Sequence, residues 1–94
     1  MENRTVRAHV FIEGRVQGVF YRVWTREQAR KLDLVGWIRN LEDGRVEAVF
    51  EGSRNKVEEM IKKCRKGPRL AGTKHIDVSW EKATGEFAGF EIIR

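Results

Sequence analysis

A chain of 94 residues holds one domain with one modest core and excludes two independent lobes. Lysine and arginine number 19 against 14 aspartates and glutamates, a formal charge of +5 that suits an anionic ligand, small phosphate or nucleic acid alike, and that a merely solvated surface also yields. The single cysteine, Cys64, excludes an internal disulfide and a cysteine-based zinc or redox site, and no window reaches the roughly 20 apolar residues of a membrane span.

In chain order, residues 1–6 read as a short tail, without the apolar run of a signal peptide, so a cytoplasmic protein is expected. Ala8, Val10, Ile12 and Gly14 alternate with His9, Phe11 and Glu13, which predicts a strand from about Arg7 into a glycine-containing loop. Tyr21, Trp24, Thr25, Gln28, Ala29 and Leu32 then share one helical face, so a helix runs from about Tyr21 to Leu32 and stops near Asp33. Val35–Asn40 reads as a second strand. Glu42-Asp43-Gly44-Arg45 is a tight-turn signal, and Val46, Ala48 and Phe50 alternate in a third strand, giving a hairpin. Ser53 is a candidate N-cap for the helix marked by Val57, Met60, Ile61 and Cys64, which Gly67-Pro68 ends. Lys74–Lys82 alternates again, and a short strand covers Phe90–Ile93. The order β-α-β-β-α-β plus a terminal strand is the ferredoxin-like α+β arrangement: an antiparallel sheet with both helices on one face, as a single domain over residues 1–94.

The connection between the first strand and the first helix carries the chemistry. Gly14 and Gly18 bracket Arg15-Val16-Gln17, and two glycines let a backbone turn sharply and approach a ligand. Successive amides in such a turn form an anion nest, and the following helix adds its positive end. Arg22, in the first helical turn, supplies a planar fork of donors that matches phosphate oxygens. The same residues also fit a plain strand-to-helix connection with a surface arginine.

The segment GRVQGVFYR, Gly14–Arg22, resembles the signature of the acylphosphatases, small enzymes that hydrolyse the carboxyl–phosphate bond of acyl phosphates. A second family motif is matched by Gly36-Trp37-Ile38-Arg39-Asn40, and the resemblance extends to the closing FEIIR. It implies a hydrolase acting on acid anhydrides. It also implies phosphate binding by Arg22 and by the loop amides of Arg15, Val16, Gln17, Gly18, Val19, Phe20 and Tyr21, with Asn40 orienting the attacking water. The substrate would be a small-molecule acyl phosphate, and inorganic phosphate would be product and competitive inhibitor. A monomer is expected, with no cofactor, no metal and no membrane or nucleic-acid partner. Phe20 fills a position that is glycine in many bacterial members, though bulky residues also occur there, which bears on loop stiffness and on the acyl side of the site.

Other residues read as structural. His9 and His75 stand alone in strand patterns, without a cysteine or carboxylate at a ligand spacing, and Asp77 has the same status. Trp24, Trp37 and Trp80 fall at core-facing phases. Cys64 reads as a small buried hydrophobe, and Lys62, Lys63, Arg65 and Lys66 complement a helix C-terminus. Two other functions compete. A ferredoxin-like binding module for RNA or a small anion would want exposed aromatics on the central strands, whereas the third strand carries Glu47 and Glu51 and only Phe11 offers a ring. An acylphosphatase-like domain of a larger carbamoyl-phosphate-processing maturation protein is the second, and the length of the chain favours a free-standing enzyme.

Overall fold

The computed structural model describes residues 4–94; the expected tail lies partly outside them, and its last two residues already pair in the first strand. The elements are β1 (Thr5–Arg15), α1 (Tyr21–Lys31), β2 (Val35–Asn40), β3 (Val46–Ser53), α2 (Arg54–Lys66), β4 (Gly72–Lys82) and β5 (Phe90–Ile92). They form one sheet in the order β4-β1-β3-β2-β5.

β1 lies between β3 and β4 and is antiparallel to both, and β2 is antiparallel to β3, so the four longer strands make the expected antiparallel sheet. β5 departs from it: Gly36 to Ile38 of β2 pair with Phe90 to Ile92 in parallel. The reason is topological. Lys82, the end of β4, lies opposite Val6, near the start of β1. The chain therefore leaves the sheet at the end where β1 and β2 begin, and after crossing to the far edge it can only run alongside β2. Residues 83–89 make that crossing, held where Thr84 and Gly85 donate backbone N–H bonds of 3.0 and 2.9 Å to the Glu51 carboxylate.

One hydrophobic cluster joins sheet and helices. Ala8, Val10 and Ile12 of β1 and Val46, Ala48 and Phe50 of β3 face it, as the period-two pattern requires. α2 buries Val57, Met60, Ile61 and Cys64, the stripe predicted from spacing. Ser53 does occupy its N-cap position, but its hydroxyl makes no cap bond; Arg54 N–H donates instead to the Arg4 carbonyl at 2.9 Å. α1 buries Tyr21, Thr25 and Ala29.

Tyr21 ties the two helices together. Its hydroxyl donates 2.6 Å to the Cys64 carbonyl. Burial pushes the phenol well above its ordinary value and the Cys64 thiol up to about 12, so both are neutral at any physiological pH. Thr73 Oγ1 also reaches that carbonyl, at 3.3 Å. Removing the phenol therefore costs a bond without orphaning its acceptor, about 1 kcal/mol. Tyr21→Phe is expected to lower the Tm by roughly 4–8 °C in thermal unfolding.

The helix-free face of the sheet corrects several sequence expectations. Trp37 faces away from the core beside His9, with the Arg39 guanidinium 5.5 Å from its ring centre. Trp80, paired with the core residue Ala8, is by contrast on the helix-covered face, at its open edge, 40% exposed beneath Arg54 at the start of α2, 4.1 Å away. Only Trp24 packs against the core, edge-on to Tyr21. Strand alternation assigns a residue to one of two faces: Trp37 falls on the outer one, and Trp80 falls on the inner one but on the edge strand β4, where the core does not reach it. Neither histidine is alone: His9 Nε2 lies 2.6 Å from Glu47 Oε2, and His75 Nε2 lies 2.9 Å from Asp77 Oδ1. Burial pushes the Glu47 carboxyl up, but His9 and Arg39 outweigh it and hold the group below its usual range. Glu47 and Glu51 are buried on this face, which gives it the wrong charge for a nucleic-acid platform.

Candidate active site

β1 and α1 are joined by residues 16–20, and the glycines that bracket this connection do different work. Gly14 belongs to β1 at a register shift, where any Cβ would collide with the backbone carbonyl of Gly72 on β4. It serves strand pairing. Gly18 is the glycine of the loop, with φ +75 and open space around it, and it lets the chain reverse into α1 at little cost.

Phe20 completes the turn at φ 62, ψ 24, a left-handed conformation that costs a bulky residue about 1–3 kcal/mol. From this N-cap position its carbonyl accepts the first helical bond, from Trp24 N–H at 3.0 Å. The amides of Tyr21, Arg22 and Val23 thus have no acceptor within the helix and point out of its positive end. The first turn contains no acidic residue to neutralise that end.

Gln17 brings the second motif to this loop. Its side-chain amide donates two bonds of 2.8 Å, to the carbonyls of Leu41 and Arg45 at the base of the β2–β3 hairpin. Loop and hairpin are thereby clamped, and Asn40, the last residue of β2, stands at the junction. Sequence reasoning gave Gln17 only a backbone role. The available signal was chemical, since a primary amide carries two donors and can hold two carbonyls at once.

The result is a cavity of about 350 Å³ lined by Val16, Gly18, Phe20, Tyr21, Arg22, Val23 and Asn40. Arg22 is the only charged residue in that lining, and no carboxylate among the described residues pairs with it. Asn40 Oδ1 is buried and has no hydrogen-bond partner among the described residues. An acceptor so placed costs about 1–3 kcal/mol, and such costs are kept where a site uses them. Of the residues whose loop amides the resemblance places at the phosphate, Val16, Gly18, Phe20 and Tyr21 line the cavity, while Arg15 closes β1 opposite Gly72, the Gln17 side chain turns to the hairpin and the Val19 side chain packs on the core. No group of three metal-ligating side chains occurs among the described residues, and no described helix is long and apolar enough to cross a membrane.

Fold and cavity together define a ferredoxin-like α+β domain with a basic cavity at a helix N-terminus. The family model described as Acylphosphatase matches residues 8–92. An acylphosphatase of Roseiflexus sp. (strain RS-1) is 59% identical over 87 residues, 93% of this chain and 94% of the relative. One from Chloroflexus aurantiacus is 53% identical over 88 residues, 94% of this chain and 96% of the relative. The crystal structure of acylphosphatase from Bacillus subtilis superposes with a TM-score of 0.91 at 29% identity, covering 95% of this chain and 99% of that one. The chain belongs to the acylphosphatase family. It is accordingly a hydrolase acting on acid anhydrides, and its reaction class is the hydrolysis of acyl phosphates.

Proposed function

We propose that Arg22 and the amides at the start of α1 hold the phosphoryl group of an acyl phosphate while Asn40 positions the water that attacks it. The observation that supports this most is the shared cavity, with its single cation and its buried, unpartnered Asn40 Oδ1 in one lining. An acyl phosphate is a mixed anhydride with a good leaving group, so the barrier is lowered mainly by stabilising charge on the phosphoryl oxygens and aligning the nucleophile.

One water O–H donates to Asn40 Oδ1, which aims the oxygen lone pair at phosphorus. The new P–O bond forms as the bond from phosphorus to the acyl oxygen breaks, and the carboxylate leaves with that electron pair. Asparagine is too weak a base to take the water's proton, which passes to a phosphoryl oxygen of the substrate. Carboxylate and inorganic phosphate are the products, and the scheme requires neither cofactor nor metal. The proposal carries with it a monomeric, cytoplasmic enzyme with a small-molecule substrate.

Inorganic phosphate retains every oxygen that Arg22 and the amides would grip. It is therefore expected to inhibit acetyl phosphate hydrolysis competitively, raising KM without lowering kcat in steady-state assays. Absence of turnover, or inhibition confined to kcat, would remove the phosphoryl group from this cavity.

A further inference from the structure

Among the described residues, the exposed large hydrophobic side chains are Phe20, Val23, Leu70, Trp80 and Ile93, and two of these, Phe20 and Val23, line the cavity that contains Arg22 and Asn40. Phe20 is the most exposed at 77%. Aromatic rings elsewhere on the surface are covered by guanidinium groups: Trp80 by Arg54, Phe11 by Arg45, Trp37 by Arg39 and Phe87 by Arg7. Among the described residues, no ring or cation is stacked on Phe20. Its backbone does not call for a ring either, since the left-handed position suits glycine and the side chain makes no cap bond.

The cavity has more room than a phosphoryl group fills, because about 350 Å³ falls in the range of roughly 300–1,000 Å³ that accepts a small organic ligand. Its apolar lining is unequal in reach. Val16 is fully buried, and Tyr21 is turned inward by its bond to the Cys64 carbonyl. Phe20 and Val23, three residues apart at the helix start, share one side and remain open to a ligand.

We infer that Phe20 and Val23 form an apolar shelf that takes the acyl part of the substrate, so that the enzyme favours acyl phosphates bearing a bulky hydrocarbon group over acetyl or carbamoyl phosphate. This rests on the placement of the phosphoryl group proposed above. With that group fixed by Arg22 and the amides, the acyl substituent projects from the polar wall toward the only accessible apolar one. Contact with the Phe20 ring then buries surface on both partners.

The test uses stable analogues and the whole chain. Phenylphosphonate and methylphosphonate share the phosphoryl end and differ in the hydrocarbon, and each is measured as a competitive inhibitor of acetyl phosphate hydrolysis. In the wild type the Ki for phenylphosphonate is expected about tenfold below that for methylphosphonate. In Phe20→Ala that ratio is expected to collapse toward one, and Phe20→Leu, which keeps apolar bulk, is expected to restore part of it. The same variants read with benzoyl and acetyl phosphate should change the ratio of their kcat/KM values in the same sense, mainly through KM. Equal Ki values for the two phosphonates in the wild type overturn the shelf, even if the variants fail to fold. Acetyl phosphate turnover with phosphate competition, but equal phosphonate Ki values, sinks the shelf alone. No turnover of either acyl phosphate sinks the placement of the phosphoryl group as well.

Discussion

Arg22→Ala is expected to abolish turnover of acetyl phosphate and, with it, inhibition by inorganic phosphate. The guanidinium is the only charged group in the cavity lining, and no described carboxylate competes for it. Its planar fork is shaped to meet two phosphoryl oxygens at once with a full charge, where the amides of Tyr21, Arg22 and Val23 offer only partial charges. Arginines that clamp a transferring phosphoryl group are worth on the order of 10³–10⁵ in rate. Arg22→Lys keeps the charge without the fork and is expected to recover a fraction of this. The side chain makes no hydrogen bond or ion pair among the described residues, so thermal unfolding should be nearly unchanged and the loss should be one of chemistry.

Asn40→Ala is expected to lower kcat by roughly 10²–10³, the range for losing one preorganised polar group, with a much smaller effect on KM. Its Oδ1 makes no bond to the described protein, so its removal breaks no structural contact. Stability should be kept or slightly raised, because a buried acceptor without a partner is itself a cost. That combination, a slower enzyme of undiminished Tm, separates a water-positioning residue from one that merely caps the end of β2. Asn40→Asp keeps the shape but would place a negative charge beside the phosphoryl oxygens, and is expected to weaken phosphate binding too.

The strands and helices were legible in the sequence because their faces are chemically distinct. Val57, Met60, Ile61 and Cys64 are apolar on one side of a charged helix, and Val46, Ala48 and Phe50 alternate with Glu47, Val49 and Glu51, two of the three charged. β5 was legible as a strand but not in its direction, which depends on where β4 ends in space. Trp37 and Trp80 misled because an aromatic ring under an arginine is half-covered without belonging to a core. Likewise the carboxylate that His9 meets is Glu47, 38 residues away in sequence and across the sheet, and not one on its own strand.

The candidate site was legible in unequal parts. Arg22 and Asn40 follow from the two motifs, and their common cavity follows from β2 ending beside the loop. Gly14 looked like a loop glycine, and only the approach of the Gly72 carbonyl shows that it serves the β1–β4 pairing. The clamp made by Gln17 needs the positions of two carbonyls at the hairpin base, which no local pattern encodes.

The most direct measurement is the Ki of inorganic phosphate together with kcat for acetyl phosphate in Asn40→Ala. A phosphoryl group held by Arg22 and the amides, and attacked by a water that Asn40 aims, requires a Ki close to the wild-type value with kcat lowered about a hundredfold or more. A kcat near that of the wild type, or a phosphate Ki that rises in step with the loss of rate, contradicts it.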